Sequence, residues 1–225
     1  VRLSAINHLS QYIDVVGLDD GDGNKWQGAS LISLLGRLLD PAPEKNWRVR
    51  LIILHMMPKL SKLAPDCMAS LFGLDAMDKK AQDGCSLIRH SWVDAVAQTA
   101  AQNEGGKHKW LEEFVVPVLE KQALEEKNYL QQVVLAYGLE QLAQHLPMPV
   151  VEGNLLPRCI ALMASKVPNL RIQLASTFEA VARVVGGGAR SNLQAKLQEL
   201  TVDADVDVKE AAEASMGRLE AERVF

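Results

Sequence analysis

The chain has 225 residues, 48% apolar and 23% charged, a composition that excludes general disorder. Its net charge of −4 argues against a protein that grips a phosphate backbone, so no nucleic-acid partner is expected. Cys67, Cys85 and Cys159 form no close pair, which excludes a disulfide scaffold and a paired-cysteine metal site and leaves buried, reduced thiols.

In chain order, apolar periodicity predicts helices over 1–17, 27–40, 47–64, 66–82, 86–103, 109–125, 129–145, 151–165, 169–185, 190–201 and 207–222. The clearest stripe is Leu170, Leu174, Phe178, Val181 and Val185, with steps of 4, 4, 3 and 4. Breakers separate the stripes: Gly17 to Gly23, Pro41 to Pro43, Gly105-Gly106, Pro147 to Pro149, Pro168 and Gly186 to Gly188. No stretch alternates long enough for a strand, and no apolar run approaches the ~18 residues that cross a bilayer. The pattern carries no signal peptide. It opens on Val1 inside a helical stretch and reads as part of something longer.

Several helices open with an apolar residue and a cation: Val1-Arg2, Val49-Arg50, Ile88-Arg89, Leu170-Arg171 and Val208-Lys209, with Gln131-Gln132 at the matching place in one more. The steps between second members are 48, 39, 43, 39 and 38 residues. A period near 40 is the HEAT/armadillo length. Six residues before each of the last five cations or its substitute stand Glu44, Asp83, Glu126, Ser165 and Asp203. Each repeat is then helix A, a turn and helix B. The turn acid is placed to accept N–H groups at the start of helix B, and the cations are placed to form a ladder along one edge. The expected fold is all-α, a HEAT-repeat superhelix, that is, a right-handed solenoid of antiparallel helix pairs. It divides as a single array over 1–225. Residues 1–17 are the B helix of a truncated first repeat, and 27–64, 66–103, 109–145, 151–185 and 190–222 are five helix-pair repeats.

Asn46-Trp47-Arg48-Val49-Arg50-Leu51 resembles the C-terminal repeats of the scaffold (A) subunit of the type 2A protein phosphatase. Further likenesses follow in order: Val1-Arg2-Leu3 with Ile6-Asn7-His8-Leu9, Asn128-Tyr129-Leu130, Leu155-Leu156-Pro157, Asn169-Leu170-Arg171, and Asp203-Ala204-Asp205-Val206-Asp207-Val208-Lys209. The resemblance spans nearly the whole chain. It implies a non-catalytic array whose intra-repeat turns seat a serine/threonine phosphatase catalytic subunit and help assemble a holoenzyme. Regulatory B-type subunits would join through N-terminal repeats outside this chain. The residues it points to are Trp47, Arg48, Ser86, Tyr129, Gln132 and Val167. Ser86 stands where that family has Tyr, and Gln132 where it has Arg, so the Trp47–Arg48 anchor should carry more of the affinity. The insert Asp19 to Asn24 is longer than expected.

Residues two apart on a helix point about 200° apart, which assigns Arg50 to the ladder and Arg48 outward. Arg89, Arg171 and Lys209 read as ladder members. Asp20 to Lys25 lacks the sixth-position Gly and twelfth-position Glu of a calcium loop, where Lys25 and Leu31 stand instead. Gly186 to Gly188 lacks a phosphate-loop ending and reads as a helix C-cap. The five histidines never recur at i, i+4 around an acid, and no nucleophile motif appears. The reading is therefore no enzyme, no metal and no cofactor, in the cytoplasm with the nucleus as a second location, and with no membrane contact. Another HEAT adaptor, karyopherin-like and binding on its concave helices, is the alternative.

Overall fold

The computed structural model describes residues 8, 46–63, 80–102, 109–123 and 128–225 of the chain. The helices expected over 1–17 and 27–40 and most of that over 66–82 lie outside the described residues, His8 apart. So do Cys67, Glu44, Glu126 and the Asp19 to Asn24 insert. Every regular element among the described residues is helical. The fold is an all-α helical repeat. The chain divides into two compact units, Val1–Val118 and Leu119–Phe225.

In the first unit, α1 (Trp47–Leu63) packs against α2 (Ser86–Gln102). Val49, Ile53, Leu54, Met57 and Leu60 of α1 and Ile88, Trp92, Val93 and Val96 of α2 are at most 2% exposed. Spacings of three and four residues put each set on one stripe, which is why burial and helix formation coincide.

Helix α3 (Val116–Ala123) is entered through one widened turn, Leu111–Val115. The second unit then takes α4 (Tyr129–Leu142), the short α5 (Met148–Val150), a second widened turn Val151–Leu155, and α6 (Leu156–Ala161). It ends with α7 (Pro168–Val184), α8 (Gly187–Leu200) and α9 (Val206–Ala221). Helix α7 is central: it packs on α4, α8 and α9. Its predicted stripe Leu170, Leu174, Phe178, Val181 and Val185 is at most 1% exposed.

Two local departures have clear causes. The segment expected as one helix over 151–165 starts at Met148 and changes pitch twice, ending in a tight turn at Leu162–Ala164. Pro157 has no N–H for the carbonyl four residues back and its ring crowds that turn. The backbone relaxes into a π turn, with the Leu156 N–H on the Val151 carbonyl. The same device recurs 40 residues earlier, where Val116 bonds to Leu111 just ahead of Pro117. The second departure is the glycine run. It does not cap the end of α7, whose last bond is the Val185 N–H on Val181 and whose cap is the extended Val185. Gly186 instead caps the start of α8, and Gly187, at φ +49°, takes the left-handed backbone that a side chain would strain. Helix α8 therefore begins three residues before its predicted start at 190.

A close approach also fixes Gly138 in α4. A Cβ there would lie 2.5 Å from Cδ2 of Leu119, which is fully buried.

Candidate functional site

Helices α1, α2, α4, α7 and α9 are those the sequence pattern assigns as B helices, and the chemistry of their starts repeats. At α1, the Asn46 side chain accepts the Arg48 N–H at 3.1 Å. Trp47 is half-buried and Arg48 exposed, with the guanidinium 4.5 Å from the centre of the indole ring. Arg50, two residues on, turns inward. Its Nε and Nη2 donate to both oxygens of Asp83, at 2.9 and 3.0 Å. Asp83 also accepts the Cys85 N–H at 2.9 Å, fixing the start of α2. Arg89 donates to the Asp83 carbonyl at 2.6 Å.

The second unit repeats this wiring. Arg171 grips both oxygens of Asp203 at 2.7 and 2.9 Å, and Asp203 accepts the Asp205 N–H at 2.9 Å. Arg171 also donates to the Ser165 carbonyl at 2.6 Å. The Arg171 hydrogen bond, working against burial, holds the Asp203 carboxyl below the ordinary carboxylate range. Each turn acid thus caps its own helix and receives the arginine of the preceding repeat, while an arginine's own turn supplies only a carbonyl. The spacing predicted the ladder, and the structure supplies its direction.

One rung is neutral on both sides. Ser165 keeps the capping role, its Oγ accepting the Val167 N–H at 3.2 Å, but it carries no charge. Gln132, at the matching position of α4, is 8% exposed. An arginine here would have no carboxylate to meet, so the two uncharged residues are consistent with each other. Lys209 departs from its ladder assignment: it is exposed, and it pairs with no acid among the described residues.

Of the six residues singled out in the sequence, Trp47 and Arg48 are brought into direct contact. Ser86 is the exposed first residue of α2, whose body packs on α1. In the second unit, exposed Tyr129 opens α4, half-buried Val167 caps α7, and Gln132 is buried in the first turn of α4. Sequence reasoning missed Leu87, Leu130, Val202 and Val206. These four and Tyr129 are the exposed large apolar residues among those described, at 39% to 78% exposure. All five stand in the first two positions of a B helix or in the turn before it. A signal was present in the sequence. Val206 lies two residues from Val208, which starts the buried stripe Val208, Ala212, Ser215 and Leu219 of α9. It therefore had to face away from the core.

Elsewhere the charged groups serve packing. Glu179 in α7 takes Arg218 of α9 through both oxygens, at 2.8 and 2.6 Å, and Arg183 at 2.7 Å. Burial alone would raise its carboxyl, but the bonds from Arg218, Arg183 and Ser215 outweigh it and lower the pKa to about 2. Burial pushes the Cys159 thiol up to about 12, which makes it inert. Among the described residues no group of three or more His, Cys, Asp or Glu is placed to hold a metal ion, and no helix is long and apolar enough to cross a membrane.

No family model matches the chain, and no curated protein matches it. Among solved structures it is similar to a designed armadillo repeat protein, at 17% identity and a TM-score of 0.48, over 96% of this chain and 92% of that one.

Proposed function

We propose that this chain is a non-catalytic scaffold whose single array of five helix-pair repeats seats the catalytic subunit of a type 2A serine/threonine phosphatase on the turns that open its B helices. The observation that carries this reading is the position of the exposed apolar residues. Leu87, Tyr129, Leu130, Val202 and Val206 gather at B-helix starts, where the core has no use for them. Exposed apolar groups recurring at the same feature of each unit are available to a partner. Trp47 and Arg48 add an aromatic–guanidinium pair, the composition of an interface anchor. The sequence likeness of Asn46 to Leu51 and Asp203 to Lys209 to the phosphatase scaffold supplies the partner. The test is gel filtration of the purified chain mixed with purified type 2A catalytic subunit. Co-elution is expected, and separate elution at micromolar concentrations would contradict the reading.

A further inference from the structure

Among the described residues of the second unit, Arg158–Glu120 and Lys196–Glu199 stand apart, and the remaining ion pairs meet around one helix contact. Helices α7 and α9 are joined by two charged layers. The first, at the helix starts, is Arg171 on Asp203. The second, toward the helix ends, joins Glu179 to Arg218, and Arg183 to both oxygens of Glu222 at 2.8 and 2.9 Å. Arg183 bridges the second layer by also reaching Glu179, its neighbour one turn back. Arg218 further touches the Ser215 hydroxyl at 3.3 Å. The contact of α7 with α4 has a different make-up. There Thr177 donates to the Ala136 carbonyl at 3.0 Å and the Gln173 amide to Glu140, beside the neutral Gln132 and Ser165.

The apolar seams differ as well. Helix α9 buries Val208, Ala212, Ser215 and Leu219, two small residues among four. Helix α4 buries Gln132, Val134, Leu135, Ala136, Gly138, Leu139 and Leu142. With fewer buried apolar residues on α9, a larger share of its attachment falls to charge. The outer charges are within reach of salt, Arg218 at 53% exposure, Glu222 at 48% and Arg183 at 35%, while Arg171, Asp203 and Glu179, at 13%, 12% and 9%, are screened less.

We propose that α9 is an ion-fastened clasp, held on α7 by its two charged layers rather than by its thin apolar seam, so that screening those layers releases α9 while α4 and α7 stay packed. Opening of one repeat contact without the next is available to a fold whose interfaces are separate nearest-neighbour terms. Asp203 belongs to the clasp and sits between Val202 and Val206. Release would therefore displace two of the exposed apolar residues of the candidate binding edge. That consequence rests on the proposed function; the clasp does not.

The test is amide hydrogen exchange on the full chain, followed by mass spectrometry, at low salt and at about 1 M NaCl, where the screening length falls to roughly 3 Å. Chloride is chosen because sulfate would strengthen apolar burial. Exchange within Val206–Ala221 should accelerate about tenfold at high salt and that of Tyr129–Leu142 by less than about twofold. Arg171→Gln combined with Arg218→Gln should give fast α9 exchange at low salt and a smaller further response to salt, since Arg183–Glu222 remains. Equal acceleration of α4 and α9, an α9 response within about twofold of none, or an unchanged double variant would each overturn the clasp. Should the double variant fail to fold, the unaltered chain's salt response decides alone. Loss of phosphatase binding with an intact salt response would count against the proposed function and leave the clasp standing.

Discussion

Replacing Asp83 by Ala is the sharpest test of the ladder. Asp83 is 1% exposed in its side chain and Arg50 7%, so the substitution leaves a guanidinium in the interior without its carboxylate. Removing one partner of a buried pair costs about 3–5 kcal/mol, because the remaining charge loses its counter-charge in the interior. The lost cap on the Cys85 N–H adds about 1 kcal/mol. Asp203→Ala removes the same contacts from a rung about an eighth exposed, where water recovers part of the loss, and should cost about 2 kcal/mol. The assay is urea unfolding. All four tryptophans, at 26, 47, 92 and 110, lie in the first unit, so their fluorescence follows Asp83→Ala, while far-UV circular dichroism follows Asp203→Ala. Arg50→Gln with Asp83→Ser copies the neutral pair found at Gln132 and Ser165. It should recover more than half of the Asp83→Ala loss, since Ser keeps the cap and Gln leaves no charge buried. The reasoning fails if Asp83→Ala costs under about 1 kcal/mol, or no more than Asp203→Ala.

Gly138→Ala should destabilise by about 1–2 kcal/mol despite the better helix propensity, since its Cβ meets buried Leu119. Gly217→Ala in α9 meets nothing within 4 Å and should stabilise by about 0.5–1 kcal/mol; chemical denaturation of both variants checks the opposite signs. Glu179 has a folded pKa lowered to about 2 from an ordinary 4.5, so its contribution is complete above the unfolded pKa and is lost as pH falls through the folded one. Thermal melts should therefore show stability dropping between about pH 5 and pH 2, and Glu179→Gln should flatten that slope; an equal slope in the variant would remove Glu179 as the cause. Cys159 should resist iodoacetamide at about pH 8 until the chain is unfolded, and rapid labelling of the native protein would contradict its burial.

Helix positions were legible because burial and periodicity carry the same information. The helix predicted over 47–64 runs Trp47–Leu63, and that over 169–185 runs Pro168–Val184. The ladder residues were legible because the 40-residue period repeats them. What the period hides is which neighbour each acid serves: Asp83 lies 33 residues after Arg50 and six before Arg89, and only packing shows that its carboxylate goes to the first. The π turns at Leu111–Val115 and Val151–Leu155 were missed because a proline signals disruption without saying whether a helix ends or widens. The edge valines were missed because stripe counting searches for apolar residues in register, while Val202 and Val206 matter for being out of it. Arg218 is legible only from the packing. Its place in the last helix, away from the turns, makes it look dispensable, yet it holds the buried Glu179.

The most direct measurement is a calorimetric titration of type 2A catalytic subunit into the unaltered chain, Trp47→Ala, Arg48→Ala, Val206→Asp and the control Glu213→Ala. Glu213 is exposed on α9 away from the turns. Helical content is checked first for each. Trp47→Ala and Arg48→Ala should each weaken binding by roughly 2 kcal/mol, about thirtyfold, and Val206→Asp by at least about tenfold. Glu213→Ala should stay within about 0.5 kcal/mol. Unchanged affinity in all three edge variants would contradict binding through the B-helix turns and favour a partner seated on the concave helices instead.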